Sequence, residues 1–333
     1  MLDKAVIAVV DAAIEGKGPT DEQALALMEL DTFSPEAAYV QWGAGQIARK
    51  ASGNVGQIFA QVGVDALPCP RNCGWCSFSA DRFQSVDTCG VSEEDLIAQP
   101  DDLVRWVRTL DGLGVHLISL MATDALPFER YLDMIRLVRA TVRDDMPIMA
   151  NCGDMTLEQV EALREAGAQA VYHALRLGEG RLTDIDPAVR KKTISNIKQA
   201  GLRFMSCVEP VHQQVDPQEL LDHMRYVAGL EPFASGVGIL HQVQGTAMEH
   251  VPGISRARSQ YLACVFRLIA GESIRYGAGG KNTMWVNAGK NARSENDYAS
   301  STEYLTLQVK RMRGALLDDE RTVPERPLAF FFE

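Results

Sequence analysis

The chain has 333 residues, of which 46% are hydrophobic and 23% charged, and its formal net charge is −11. This composition suffices for a large buried core and argues against disorder, while the acidic charge, which repels phosphate backbones, argues against nucleic acid as a partner. No apolar run reaches the ~18 residues of a membrane span, and the N-terminus lacks the basic start and long apolar core of a signal peptide. We therefore expect no membrane association. Seven cysteines, an odd number, fit a reducing cytoplasm.

The first 55 residues predict helices. The stretch "TDEQALALMEL" has a capping-type start at Thr20 and apolar residues at helical spacing. A second helix is predicted after Ser34, where "SPE" is a typical N-terminal signal. We expect residues 1–55 to form a helical extension in front of the main domain.

From residue 56 onward, short apolar runs alternate with amphipathic helical stretches. Strand–helix alternation repeated about eight times predicts an α/β fold, a parallel (β/α)8 barrel of the TIM type. We predict one barrel domain over residues 56–320 and a tail over 321–333. In such barrels the chemistry lies at the C-terminal ends of the strands. The predicted ends are polar and rich in glycine, and they read "CPRNCGWC", "MATD", "NCGD", "RLGEG", "EPVHQ", "HQVQGT" and "AGGKN".

Three cysteines, Cys69, Cys73 and Cys76, follow the first predicted strand with the spacing C-x3-C-x2-C. Thiolates are soft ligands for zinc or for iron–sulfur clusters. A structural zinc site usually needs four ligands, and no second pair of closely spaced cysteines is present. Three cysteines on one loop can instead hold three irons of a [4Fe–4S] cluster and leave the fourth iron open for a small molecule. Plain loop thiols, or zinc with a distant histidine, are the alternatives.

With an aromatic residue, Trp75, just before the last cysteine, this loop resembles the cluster loop of the radical S-adenosylmethionine (SAM) enzymes. The resemblance implies that the three cysteines bind a [4Fe–4S] cluster and that SAM chelates its open iron through amino and carboxylate groups. It also implies reductive cleavage of SAM to methionine and a 5′-deoxyadenosyl radical, which abstracts hydrogen from a small-molecule substrate. A reductant such as flavodoxin or ferredoxin would supply the electron.

Within the superfamily, the segments "GTAM", "VFRLIAG", "IRYGAG" and "NAGKNA" resemble the C-terminal part of biotin synthase and its relatives, at about residues 230–300. That group includes methylornithine synthase and an [FeFe]-hydrogenase maturase, and its members are full (β/α)8 barrels. The resemblance implies a role in the biosynthesis of cofactors or unusual amino acids. The ends "YHALRLGEG" and "EPVHQ" look like the maturase and methylornithine synthase branch.

Biotin synthase carries a second iron–sulfur cluster on three cysteines and an arginine. Arg275 matches the arginine, but the cysteine positions fall near Ser119, Met149 and Met205. Cys152 and Cys207 lie two or three residues further along the same predicted strands, so a displaced cluster is an open alternative. We do not expect a second cluster. A sulfur-inserting enzyme of the biotin or lipoyl type is the alternative function, and a non-catalytic cluster or zinc scaffold is a third.

The resemblance also implies roles for single residues. Arg176 and Glu179 would hold the polar groups of SAM, and Trp75 and Phe78 would flank the cluster near the adenine. The sequence "MATD" departs from the family's Gly-Gly-Glu-like stretch; backbone carbonyls there, helped by Thr123 or Asp124, would bind the amino group. Candidate substrate contacts are the polar residues at strand ends, namely Asn151, His173, Glu209, His241 and Arg275. Arg275, if it faces inward, would need a substrate carboxylate or Glu209 as its partner. A lone histidine near an apolar strand is more often a structural residue.

Overall fold

The computed structural model describes residues 2–85, 92–280, 282–290, 301–326 and 330. The described helices are α1 (Lys4–Ile14), α2 (Asp21–Glu29), α3 (Pro35–Ser52), α4 (Ala80–Ser85), α5 (Pro100–Gly112), α6 (Phe128–Thr141), α7 (Leu157–Glu165), α8 (Pro187–Gln199), α9 (Pro217–Gly229), α10 (Arg256–Ala270) and α11 (Thr302–Asp318). In this part of the chain, no helix is long and apolar enough to cross a membrane.

The described strands are β1 (Gln57–Gly63), β2 (Leu117–Met121), β3 (Ile148–Asn151), β4 (Ala170–Tyr172), β5 (Arg203–Met205), β6 (Val208–Val211), β7 (Ala234–Ser235), β8 (Val237–Ile239), β9 (Tyr276–Gly277) and β10 (Thr283–Gly289). Eight of them form one sheet in the order β10-β1-β2-β3-β4-β5-β7-β9, and β6 pairs with β8. A helix follows most of the strands, which confirms the predicted (β/α)8 fold class.

The chain divides into two compact units. The first unit comprises Met1–Gly56, Met205–Gln242 and Met248–Thr283, and the second comprises Gln57–Phe204, Val243–Ala247 and Met284–Glu333. The helices α1 to α3 fall within the predicted helical extension. The domain boundaries predicted after residues 55 and 320 stay predictions.

Local sequence explains where the helices of the first unit begin. The Thr20 hydroxyl accepts a hydrogen bond from the amide of Gln23 at 3.2 Å, and the Gln23 side chain accepts one from the Thr20 amide at 2.9 Å. This capping box satisfies two amides that the first turn of α2 would otherwise leave unpaired. Helix α3 begins with Pro35 after the capping residue Ser34 and ends at Gly53, whose φ of 61° suits glycine.

A fully buried arginine of the first unit binds the segment that follows α10. Arg267, on α10, donates hydrogen bonds to the carbonyls of Ala278 at 3.0 Å and of Gly271 and Gly277 at 2.9 Å, and also to that of Ile274. Its charge is therefore surrounded by carbonyl dipoles of the segment that follows the helix. The arginine in "VFRLIAG" thus fixes the course of the chain into β9.

In the second unit, parallel pairing sets which residues lie level with each other. Gly63 of β1 pairs with Met121 of β2, and Met121 pairs with Asn151 of β3. The strands β1, β2 and β3 therefore end along one edge, where a parallel sheet presents its C-terminal loops. The cysteine loop, the "MATD" segment and the "NCGD" segment all leave the sheet at this edge.

Candidate active site

The loop that carries the three cysteines folds back on itself. The amide of Cys69 donates to the carbonyl of Phe78 at 2.6 Å, and the amide of Ala80 donates to the carbonyl of Cys69 at 3.0 Å. The amide of Cys76 donates to the carbonyl of Cys73 at 2.9 Å, which closes a turn between these two residues. These bonds place all three cysteines on one short closed loop.

The same loop is tied to the segment after β4. The amide of Gly74 donates to the carbonyl of Leu182 at 2.8 Å, and the Asn72 side-chain amide donates to Oδ2 of Asp184 at 3.0 Å. Asn72 has a φ of 44°, a left-handed conformation that asparagine tolerates better than most residues. Its side-chain oxygen also accepts from the amide of Asp81 at 3.1 Å. The loop is therefore held on both sides.

The three thiols are partly buried and lie close enough to influence one another. Burial raises the pKa of Cys73 to about 12; the charge of Arg176 opposes this shift, and Cys76, Glu179 and Cys69 add to it. Burial also raises the pKa of Cys76, whose sulfur accepts from the amide of Phe78 at 3.4 Å. A metal that binds Cys73 or Cys76 would displace the thiol proton, because a coordinating thiol is deprotonated.

This donor set fits an iron–sulfur cluster. Across the described ranges, no group of three or more His, Cys, Asp or Glu side chains is arranged to share one metal ion. A [4Fe–4S] cluster does not require that arrangement, because each cysteine binds a different iron. A loop of three soft sulfurs, a nearby amide donor and the Arg176 charge together suit an anionic cluster.

Glu179 lies beside this loop with its side chain almost completely buried. Its carboxylate accepts a hydrogen bond from the amide of Arg176 at 3.1 Å and another from the Thr183 hydroxyl at 2.8 Å. Its side chain is 2% exposed. The structure thus brings Arg176 and Glu179 close to Cys73, from which the sequence separates them by more than a hundred residues.

A second arginine, Arg190 on α8, also enters this region. Its side chain is 6% exposed, and its Nε lies 3.5 Å from Oε2 of Glu179 without forming a hydrogen bond within the described part of the chain. Sequence reasoning missed this residue because α8 reads as an ordinary amphipathic helix. The signal was there: Arg190 shares a helical face with the buried residues Ile194 and Ile197.

His173, a predicted substrate contact, belongs to a buried polar network. Its Nε2 lies 3.0 Å from Oδ1 of Asp154 and 3.0 Å from Nη1 of Arg190. Burial lowers the pKa of His173 to about 4, although Asp154 opposes the shift. Burial disfavours the charge of Asp154, but its bond with His173 and the charge of Arg190 hold its pKa below the usual value. His173 is therefore neutral near pH 7.

Two side chains of the "MATD" segment, those of Thr123 and Asp124, bind other residues of the chain. Thr123 is buried and donates from both its amide and its hydroxyl to the carboxylate of Asp65. Asp124 forms an ion pair with Arg71 of the cysteine loop. The proposed part of Thr123 and Asp124 in holding the SAM amino group stays a prediction.

Comparisons with known proteins relate the chain to biotin synthases by sequence and to methylornithine synthase and a hydrogenase maturase by structure. The sequence is 25% identical over 283 residues to a biotin synthase of Crocosphaera subtropica, covering 81% of this chain and 72% of that protein. A crystal structure of methylornithine synthase (PylB) superposes with a TM-score of 0.77 at 17% identity, covering 95% of this chain and 97% of that one. The [FeFe]-hydrogenase maturase HydG of Carboxydothermus hydrogenoformans gives 0.71 at 14% identity, covering 95% and 78%. No family model matches the sequence.

These similarities support assignment of the chain to the radical SAM superfamily, in its biotin synthase-like group. The chain is a radical SAM enzyme, and the superfamily implies a [4Fe–4S] cluster and SAM as cofactors. The solved structures, all under 25% identical, show the (β/α)8 fold alone.

Three more of the predicted site residues, Trp75, Phe78 and Asn151, lie in the cysteine loop or at the end of β3. Trp75 and Phe78 are partly exposed beside the cysteines, and Asn151 is partly exposed at the end of β3. The amide of Asn151 donates to the Tyr131 hydroxyl oxygen at 3.0 Å, which fixes the end of this strand. The roles of these three residues stay predictions.

In the first unit, Glu209 lies next to Cys207. The Cys207 thiol donates to the carbonyl of Gly236 at 3.1 Å, and burial, with the charge of Glu209, raises its pKa well above the usual value. His241 is exposed. Arg275 is exposed too, and its inward orientation and substrate contact stay predictions. The buried arginine of this region is Arg267.

A buried histidine of the first unit was not singled out from the sequence. His223, on α9, has a pKa lowered to about 4 by burial, and the charges of Glu209 and Glu219 oppose this shift. Its spacing on α9, between Leu220 and Met224, is the signal that could have identified it as a core position.

Proposed function

We propose that this enzyme abstracts hydrogen from a small metabolite in the biosynthesis of a cofactor or an unusual amino acid. The arrangement that carries the proposal is the closed cysteine loop with Arg176 and Glu179 beside Cys73. Cys69, Cys73 and Cys76 would hold the cluster, which would pass one electron from an external reductant to SAM for its cleavage to methionine and a 5′-deoxyadenosyl radical.

The chain's own residues bind and orient SAM in this proposal. Glu179 offers a buried carboxylate, held by the Arg176 amide and Thr183, which would accept hydrogen bonds from the SAM ammonium group. The Arg176 guanidinium would bind the SAM carboxylate. Arg190 lies 3.5 Å from Glu179 and 3.4 Å from Asp154, so its positive charge offsets the negative charges of these two carboxylates.

The aromatic residues of the cysteine loop would shield the cluster from water. Trp75 and Phe78 lie in the same loop, and their rings would keep water from the cluster and from the radical. Exclusion of water matters because it prevents side reactions of a reactive intermediate.

On the substrate side, we propose Asn151, His173, Glu209, His241 and Arg275 as contacts. We also propose a flavodoxin or ferredoxin as the electron donor and the cytoplasm as the location. His173 is neutral and bonded to Asp154, so its part would be to donate or accept a hydrogen bond rather than to carry charge.

A sulfur-inserting reaction is the second candidate, because the curated relatives are biotin synthases. It would need a second cluster as the sulfur source. Ser119, Met149 and Met205, near the positions where biotin synthase has cysteines, offer no thiolate, which favours the first proposal. Cys152 and Cys207 are the thiols that a displaced cluster would use.

One anaerobic experiment tests the proposal. The protein is reconstituted with iron and sulfide, and Cys73→Ala is compared with Cys264→Ala, which removes a buried thiol of α10 outside the loop. After addition of SAM and dithionite, we expect 5′-deoxyadenosine from the wild type and from Cys264→Ala but not from Cys73→Ala. About four irons and four sulfides per chain are expected; clearly more would favour the sulfur-inserting alternative.

The cluster also reports on SAM binding directly. We expect SAM to change the electron paramagnetic resonance spectrum of the reduced wild-type cluster. A wild type that binds no iron–sulfur cluster would contradict the proposal. So would a cluster that neither responds to SAM nor yields 5′-deoxyadenosine.

A further inference from the structure

An ion pair joins the cysteine loop to the end of β2. Arg71 lies midway between Cys69 and Cys73, and its Nε donates to Oδ2 of Asp124. The Asp124 side chain is 18% exposed and that of Arg71 is 40% exposed. A pair in this partly buried position is screened less than a surface pair.

Arg71 is also held by its backbone. Its carbonyl accepts a hydrogen bond from the amide of Asp184 at 2.8 Å, in the segment after β4. The residue is thus fixed at two points, by its side chain toward β2 and by its main chain toward the β4 segment. Because Arg71 is two residues from Cys69 and two from Cys73, we expect a displacement of its backbone to shift both cysteines.

The position of the Asp124 side chain requires a glycine at residue 153. A Cβ added at Gly153, just after β3, would overlap the carboxylate oxygen Oδ1 of Asp124. The carboxylate therefore lies directly against the Gly153 backbone on one side and against Arg71 on the other. Its position is determined by contacts from two different strand ends.

We propose that Asp124 is a positioning residue, which acts through Arg71 to hold Cys69 and Cys73 in the geometry that retains the cluster, and that Gly153 makes room for it. This inference rests on the proposed function, since it assumes that the loop carries a [4Fe–4S] cluster. Groups that orient metal ligands typically change metal affinity by about 10–100-fold when they are removed.

The test compares Asp124→Asn with Asp133→Asn. Asp133 forms an exposed ion pair with Arg136 on α6, so its variant has the same change of charge without touching the loop. After reconstitution, the loss of cluster absorbance in the presence of an iron chelator is followed. We expect Asp124→Asn to lose its cluster about tenfold faster than the wild type and Asp133→Asn to match the wild type.

Two further variants show whether Asp124 acts through Arg71. In a double-mutant cycle, Arg71→Met should speed cluster loss as much as Asp124→Asn, and the double variant should be no worse than either single variant. Gly153→Ala, which displaces the carboxylate and keeps its charge, should have the same effect. We also expect the spectrum of the reduced cluster to change in these variants, while melting curves of the apoproteins stay close to the wild type.

Equal rates of cluster loss in Asp124→Asn, Asp133→Asn and the wild type would overturn the inference. Additive effects in the cycle would also overturn it, since they would mean that Asp124 acts independently of Arg71. A wild type that holds no cluster at all would instead contradict the proposed function. If Asp124→Asn fails to fold, the rate of cluster loss in Arg71→Met, which changes the more exposed partner of the ion pair, tests the inference instead.

Discussion

The Thr123 hydroxyl donates a hydrogen bond to Oδ2 of Asp65 at 2.5 Å, and the Thr123 amide donates to Oδ1 at 2.8 Å. Both residues are buried, one after β1 and the other after β2. Burial raises the pKa of Asp65, and the bonds from Thr123 oppose that shift. This pair therefore joins two strand ends at the edge of the sheet that carries the cysteine loop.

Thr123→Val should destabilise the protein because it removes a donor from a buried carboxylate. Oδ2 of Asp65 would keep only the bond from the Leu67 amide at 3.1 Å. Loss of one buried hydrogen bond costs about 0.5–1.5 kcal/mol in the free energy of unfolding, and more where the partner is charged. Urea denaturation measures the change, and Thr123→Ser, which keeps the hydroxyl, should recover most of it. A Thr123→Val variant as stable as the wild type would show that this hydrogen bond does not stabilise the fold.

Glu179→Gln should weaken SAM binding more than tenfold while leaving the cluster in place. The side-chain amide of glutamine lacks the negative charge with which we propose that Glu179 binds the SAM ammonium group. A hydrogen bond to a charged group is worth about 1.5–3 kcal/mol. The measurement is the SAM concentration that changes the spectrum of the reduced cluster. Glu165→Gln, at an exposed position of α7, is the control and should not differ from the wild type. An unchanged affinity in Glu179→Gln would remove this residue from the site.

Gly238→Ala should disturb Glu209, whereas Gly236→Ala should be tolerated. A Cβ at Gly238 would lie 2.8 Å from Oε2 and 2.9 Å from Cβ of Glu209; at Gly236 the nearest atom is Sγ of Cys207 at 3.9 Å. Overpacking of this kind costs about 1–3 kcal/mol. Thermal melting of the two variants gives the comparison, and equal melting temperatures would show that Glu209 moves aside freely.

His223 should make the protein less stable as the pH falls from about 6.5 to about 4. Its pKa is about 4 in the folded chain and near 6.5 when unfolded, so the unfolded state takes up the proton first and is favoured by acid. With about 1.4 kcal/mol for each pKa unit, the loss approaches about 3 kcal/mol and is complete below pH ~4.

Because many carboxylates titrate over the same interval, the informative quantity is the difference between the wild type and His223→Phe. That difference should grow on acidification in favour of the variant. His250 is 92% exposed, so His250→Gln should follow the wild type at every pH. A constant difference between His223→Phe and the wild type would show that His223 does not titrate in this way.

The sequence by itself determined the features that depend on local pattern. Alternating apolar runs and amphipathic helices fix the fold class, because burial on one face requires those periods. The spacing of Cys69, Cys73 and Cys76 gave the cluster loop, since a short loop keeps its ligands together in any fold. The family resemblance identified Arg176 and Glu179, which the structure places beside Cys73.

Only the tertiary structure decided the partners of the long polar side chains. Arg71 and Asp124 are 53 residues apart, and His173 meets Asp154 and Arg190 across 19 and 17 residues. Periodicity shows which face of an element is buried, but it does not show which charge a flexible side chain meets across a sheet edge. Arg190 was not singled out from the sequence and is buried, while Arg275, considered from the sequence as a cation that could face inward, is exposed. The reason is physical: burial of a charge depends on the donors and acceptors that other strands bring to it.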